Sequence, residues 1–296
     1  MIPVTTTSDL YGFFDTPAEA VSFYEGTGWR YLDYSFSDAL RGNDPLMREN
    51  WRELFHQAKK RADELGIRFV QAHSPSYNPL NPASDKVRGR EAMVRAIEAC
   101  RILGIENMVT HMGFSHDYPY PAGEADCFRE NCRFFRSLIP HLEEHEVTLC
   151  MENSCEINMK GRYFCTNAKE LKAFLAELGH PRFAAAWDIG HAHLQGLDTA
   201  EEMVKLGEAL RAIHIHDNNG KSDQHLPPYT GTVDFNQLRR GITESGFSGY
   251  FTFEADRFAE YQKDLPLALK KASLIYLYES GKAMLKEWKL SAKEDL

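Results

Sequence analysis

Glu152, Asp188, His216 and Glu254 each close an apolar run of the chain: VTLCMEN, RFAAAWD, AIHIH and YFTFE. The end of an apolar run is a costly place for a charge unless that charge is paired or bound to a metal. Three carboxylates drawn to one place repel one another strongly unless a cation lies between them. Carboxylates with an imidazole suit a hard-to-borderline divalent ion such as Mn²⁺, Mg²⁺, Co²⁺ or Zn²⁺. The four residues are therefore read as ligands of one divalent cation.

A second set surrounds them. RFVQAHS ends at His73 and NMVTH at His111, again at the close of apolar runs. WDIGHAH places His191 three residues after Asp188, and SDQH places Asp223 two residues before His225. In an extended segment residues two apart point the same way. His73, His111, His191, Asp223 and His225 are expected either to complete further metal sites or to grip substrate hydroxyls. Within HIH, only His216 is expected to look into the pocket, because it lies nearer the strand end. His214 is assigned to the barrel core, and His116 to an exposed loop. No GxSxG elbow and no Walker loop is present, so nucleophilic-serine and P-loop chemistry are not indicated.

These residues need a scaffold that brings distant positions together. Eight strand-like runs follow one another: IPVT, RYLDYSF, RFVQAH, NMVTH, VTLCMEN, RFAAAWD, RAIHIH and YFTFEAD. Parallel strands covered by helices read as apolar runs of this kind. Helical patterns fill most gaps. One has Thr16 as N-cap and Pro17 behind it, one ends at Gly66, and one is expected to start at Ser84 and end at Gly104. FRENCRFFRSLIPHLEEHE reads as a single helix before the fifth strand. The alternation predicts α/β architecture, a single (β/α)8 TIM barrel occupying 1–296 as one domain. Such a barrel gathers its strand ends on one face. An open doubly wound sheet fits less well, because no glycine-rich phosphate loop follows the first strand. Long segments at 113–126 and 217–234 follow strands and are expected to cover the site. Tyr11, Phe13, Phe14 and Phe36 are expected to form an apolar wall for a sugar ring.

Bulk properties narrow the partners. With 296 residues, 43% of them hydrophobic, the core needs no disulfide staples. The net charge of −9 repels phosphate backbones, so no nucleic-acid partner is expected. No apolar run approaches the roughly 20 residues that span a bilayer. The N-terminus lacks a basic segment followed by an apolar stretch. The six cysteines show no paired CxxC spacing and are read as reduced thiols. Together these predict a cytoplasmic protein with no membrane partner.

Taken with their flanking residues, MENS, WDIGHAH, HIHDNNGKSDQHLPPYTGTVDF and FTFEAD resemble the xylose isomerase-like barrel superfamily. The similarity is to its sugar phosphate isomerase/epimerase branch and extends from the first strand to Glu254. It implies a metal-dependent sugar isomerase or epimerase acting on a keto-sugar or cyclic polyol. Glu152 and Glu254 would be the catalytic proton carriers, and His191 would hold substrate. A cation-stabilised enediolate would allow epimerisation, isomerisation or dehydratase/lyase chemistry. The positions of His73, His111, Glu152, Asp188, His191, His216, Asp223, His225 and Glu254 also match the nine ligands of the endonuclease IV branch. That match implies up to three Zn²⁺ and, as the alternative, a trinuclear-zinc phosphoesterase. Two positions depart from the epimerase pattern: Asn158 stands where a glutamate is expected, and Ser222 where an arginine is expected. By analogy the enzyme would be a homo-oligomer.

Overall fold

The computed structural model describes residues 1–7, 13–255 and 266–290. Its strands are β1 (Pro3–Thr6), β2 (Tyr31–Ser35), β3 (Arg68–His73), β4 (Asn107–Thr110), β5 (Thr148–Glu152), β6 (Phe183–Asp188), β7 (Leu210–His214) and β8 (Phe251–Phe253). They form one parallel sheet in the order β7-β6-β5-β4-β3-β2-β1-β8. The two ends of that order meet just past β7. Ile215 N donates to Thr252 O at 2.9 Å, and Glu254 N donates to Ile215 O at 3.0 Å. The expected eight strands are thus present and joined into a TIM barrel.

Helices α1 (Pro17–Phe23), α2 (Trp51–Leu65), α3 (Lys86–Leu103), α4 (Glu124–Arg136), α5 (Ile139–Glu144), α6 (Glu156–Met159), α7 (Ala168–Leu178), α8 (Ile189–Leu194), α9 (Thr199–Leu206), α10 (Phe235–Ser245) and α11 (Leu267–Glu287) fill the connections. Local chemistry sets their ends. Thr16 and Glu19 make a reciprocal capping box on α1, and Gly66 and Gly104 end α2 and α3 in the left-handed region.

Two boundaries differ from the sequence reading. Asp85 rather than Ser84 caps α3, because its carboxylate accepts from both Val87 N and Arg88 N. The segment read as one helix before the fifth strand is two, α4 and α5. Pro140 falls in the first turn of α5, where its missing N–H is tolerated, whereas inside a continuous helix it would remove a bond. Past Asp188 the chain turns at once into the short α8, with the Asp188 carboxylate as its cap.

The core is layered. Trp29, Phe55, Phe135, Phe174 and Trp187 are buried in the main cluster, which joins sheet and helices. Val109, Cys150, Ala184, Ala186 and Ala212 form a separate buried cluster of small side chains. By the two-residue period of a strand, Cys150, Ala186 and Ala212 share a face with Glu152, Asp188 and His214. That face is the barrel interior, and its small side chains lie beneath the polar residues at the mouth. All six cysteines are buried free thiols. No described helix is long and apolar enough to cross a membrane.

Candidate metal centre

β5, β6, β7 and the residue just past β8 deliver Glu152, Asp188, His214 and Glu254 to one point. One potential ligand atom from each lies within 4.8 Å of all the others. His214 Nδ1 is 2.7 Å from Glu152 Oε1 and 3.2 Å from Glu254 Oε2. Glu152, Asp188 and His214 are fully buried, and the Glu254 side chain is 13% exposed.

The sequence reading gave the imidazole of this group to His216, and the structure puts His214 there. Residues two apart on a strand face the same side, so both histidines of HIH turn inward. β7 ends at His214, which keeps that ring level with Glu152 and Glu254. His216 stands two residues further out, its Nε2 3.1 Å from Asp188 Oδ2 and 3.7 Å from Asp223 Oδ1.

Two further groups adjoin the first. His73 and His111 bring Nε2 to 3.8 Å and 3.2 Å from Glu152 Oε2, and the two nitrogens are 3.3 Å apart. On the other side His191, His216, Asp223 and His225 form a compact set. Asp223 Oδ2 lies 3.3 Å from His191 Nε2 and 3.2 Å from His225 Nε2. The His216 and His225 rings stack at 4.2 Å. All nine residues singled out from the sequence therefore meet at one mouth, with His214 as a tenth.

Supporting groups hold them in place. Asn153 clasps Asp188 through both backbone groups: its Oδ1 accepts from Asp188 N at 2.7 Å, and its Nδ2 donates to Asp188 O at 2.9 Å. His191 Nδ1 lies 2.9 Å from Asn153 O. Asn158 Nδ2 donates to Asp223 Oδ2 at 2.8 Å and sits 3.1 Å from His191 Nε2. Asn158, one of the two positions that depart from the expected pattern, thus braces the outer set. Asp217 accepts from Asn218 N, Gly231 N and Val233 N, which pins the loop carrying Asp223 and His225. Gly190 is needed for space: a Cβ there would lie 2.0 Å from His216 Cε1. Sequence reasoning missed Asn153 and Asp217, although each directly follows a singled-out residue.

Burial alone would push Glu152 up, but the imidazoles of His214 and His111 outweigh it and hold the carboxyl well below its usual range. Burial would likewise lower His191, yet Asp188 and Asp223 carry it well above the ordinary histidine value. Glu152 Oε2, Asp188 Oδ2 and His216 Nε2 are buried and none makes a well-aligned hydrogen bond, although the last two face each other at 3.1 Å. Buried polar atoms left this way are costly, and a cation among them removes the cost. The donors are oxygens and imidazole nitrogens with no thiolate among them, and a borderline divalent ion fits that set.

Beside the mouth lies a cavity of about 410 Å³ at the ends of β1 and β2, lined by Thr7, Phe13, Phe14, Tyr34, Asp38 and Arg48 among others. It connects to the ligands through hydroxyls. Ser35 Oγ bonds Ser37 Oγ at 2.9 Å, and Ser37 Oγ lies 3.2 Å from His73 Nδ1. Of the expected aromatic wall, Phe13 and Phe14 line this cavity. Phe36 does not, because it is buried against Tyr34 and Phe55 in the core. Tyr11 falls outside the described residues. His116 is 3.3 Å from the Tyr163 hydroxyl, so it is partnered rather than merely exposed.

A family model for the xylose isomerase-like TIM barrel matches residues 24–272. An uncharacterized protein of Methanocaldococcus jannaschii, MJ1311, is 26% identical over 191 residues, covering 62% of this chain and 64% of the relative. A fructoselysine 3-epimerase of Escherichia coli O157:H7 is 35% identical over 88 residues, 30% of this chain and 32% of the relative. The chain thus spans less than two thirds of the length of these curated relatives. The solved structure of a D-psicose 3-epimerase, in the presence of D-fructose, superposes with a TM-score of 0.73 at 13% identity, covering 98% of this chain and 100% of that one.

Proposed function

The chain belongs to the xylose isomerase-like TIM barrel family, and from that premise we propose that it is a divalent-metal-dependent epimerase or isomerase of a keto-sugar or cyclic polyol. One observation carries the reading. Glu152, Asp188, His214 and Glu254 come from four successive strand ends to within 4.8 Å, and two of their buried oxygens, Glu152 Oε2 and Asp188 Oδ2, make no hydrogen bond. The sugar epimerases among its relatives and structural neighbours support the reaction class.

Glu152, Asp188, His214 and Glu254 would hold the cation, with His216 within reach of Asp188. A divalent ion there supplies positive charge that acidifies the C–H beside a sugar carbonyl. The chain's own groups then do the proton work. One of Glu152 and Glu254 takes the proton from that carbon, and its electron pair moves into the carbonyl. The other glutamate returns a proton to the opposite face of the same carbon, which inverts it. Return to the neighbouring carbon gives the isomer instead. His191, braced by Asn153 and Asn158, is placed to hold a substrate hydroxyl.

The adjoining cavity bears on the substrate. Among the described residues Asp15, Asp38 and Asp44 line it together with Arg48; Asp15 pairs with that guanidinium and Asp38 with Arg41. Such a lining suits hydroxyls and disfavours a phosphate, so the substrate is an unphosphorylated sugar or polyol. The same charge disfavours nucleic acid.

Elemental analysis followed by deuterium incorporation from heavy water into a panel of ketoses and inososes tests the proposal. We expect about one tightly held divalent ion per chain and exchange at one carbon of the accepted sugar. Three zinc ions per chain with phosphoester hydrolysis and no C–H exchange would favour the second reading, a trinuclear phosphoesterase. The three contiguous ligand groups keep that reading in play.

A further inference from the structure

Asp33 lies in the middle of β2, fully buried inside the barrel, and the chemistry above does not use it. Its Oδ2 is 3.4 Å from His214 Nε2 and accepts from Gln71 Nε2 at 3.4 Å. Its Oδ1 makes no hydrogen bond. Gln71 is itself held by Thr252, whose hydroxyl donates to Gln71 Oε1 at 3.4 Å. A carboxyl group here, half satisfied and out of water, weakens the fold relative to an apolar side chain of similar size. Its placement has a chemical use instead.

His214 is the hinge of that use. Its Nδ1 faces Glu152 and Glu254, and its Nε2 faces Asp33 and the Gln71 amide, 3.1 Å away. These two neighbours make opposite demands on Nε2. The amide nitrogen can only donate, whereas a carboxylate can only accept. A proton on Nε2 answers Asp33 and leaves the Nδ1 lone pair bare. A proton on Nδ1 would answer Glu152 and block that nitrogen as a ligand.

Resting on the metal-site reading above, we propose that Asp33 is a positioning residue. It holds His214 as the Nε2–H tautomer, with the Nδ1 lone pair turned toward the cation that Glu152, Asp188 and Glu254 share. Ligating histidines fixed in this way by a carboxylate behind them bind more tightly, and loss of such a partner weakens affinity by about 10–100-fold.

Full-length Asp33→Asn is the deciding variant. It keeps the shape but can donate as well as accept, so it no longer enforces the tautomer. Each protein is loaded with Co²⁺, the visible absorption spectrum recorded, and affinity measured by competition with a chelator. We expect Asp33→Asn to bind about 10-fold more weakly with a shifted spectrum, and Asp33→Leu more weakly again. Cys150→Ala, which opens a small cavity on the same interior face, should lower thermal stability and leave the spectrum unchanged. Wild-type affinity and spectrum in Asp33→Asn would overturn the inference alone. A wild-type chain that takes up no divalent cation would overturn it together with the proposed function.

Discussion

Glu152, Asp188 and His214 stand on strands, whereas His191, Asp223 and His225 stand on the segments that follow them. The first group inherits its spacing from the sheet. Glu152 pairs with Ala186, and Asp188 with His214, in parallel register, so hydrogen-bonded neighbours fix their relative height. The second group depends on side chains that brace loops: Asp217 on three backbone amides, Asn158 on Asp223, and the Glu254 carbonyl on His225, which sits at φ 50°. A barrel can change such loops without disturbing its strands. The inner group should accordingly decide whether there is chemistry at all. The outer group should decide what else binds.

The largest effect is expected in the inner group. Glu152→Gln should lower C–H exchange into an accepted sugar about 1,000-fold, the scale of a lost acid–base group. Full exchange in that variant would strip the inner group of its assigned role. Next comes the choice between the two inward histidines. His214→Ala should weaken the first divalent ion about 100-fold, while His216→Ala should keep it, as read by chelator competition. The opposite ranking would return the ligand to His216 and blur the distinction between the groups.

Gly190→Ala tests how closely the groups abut. The new methyl meets the His216 ring, and the strain should cost about 1–3 kcal/mol of stability in a urea titration. An unchanged midpoint would mean that the outer ring moves freely. The smallest effect is expected from Asp223→Asn, which should raise KM and leave kcat near the wild-type value, the pattern of lost uniform binding. A collapse of kcat there would merge the outer group with the catalytic one.

Much of this was legible beforehand because charges at the ends of apolar runs are conspicuous. Six of the nine residues read from the sequence close such a run, His191 follows one by three positions, Asp223 and His225 stood out by their spacing in SDQH, and the structure brings all nine to one mouth. The residues that escaped notice carry weaker signals. Asp33 sits in YLDYS, where a mid-strand polar residue reads as solvent-facing alternation. Its burial follows only from closure of the ring, which turns that face inward. Gln71 in RFVQAH is hidden for the same reason.

What the chain determines locally is the order of its elements, their caps, and the set of residues able to bind a cation. Periodicity, capping chemistry and the cost of an exposed apolar run act over a few neighbouring residues, so they can be read in one dimension. Which histidine of HIH reaches the glutamates was decided by where β7 stops pairing with β6, and that is a property of the sheet. Pairing across the barrel also put Asp33 behind His214, from residues 181 positions apart in the chain. Contacts of that kind are fixed by closing the ring, and no local pattern records them.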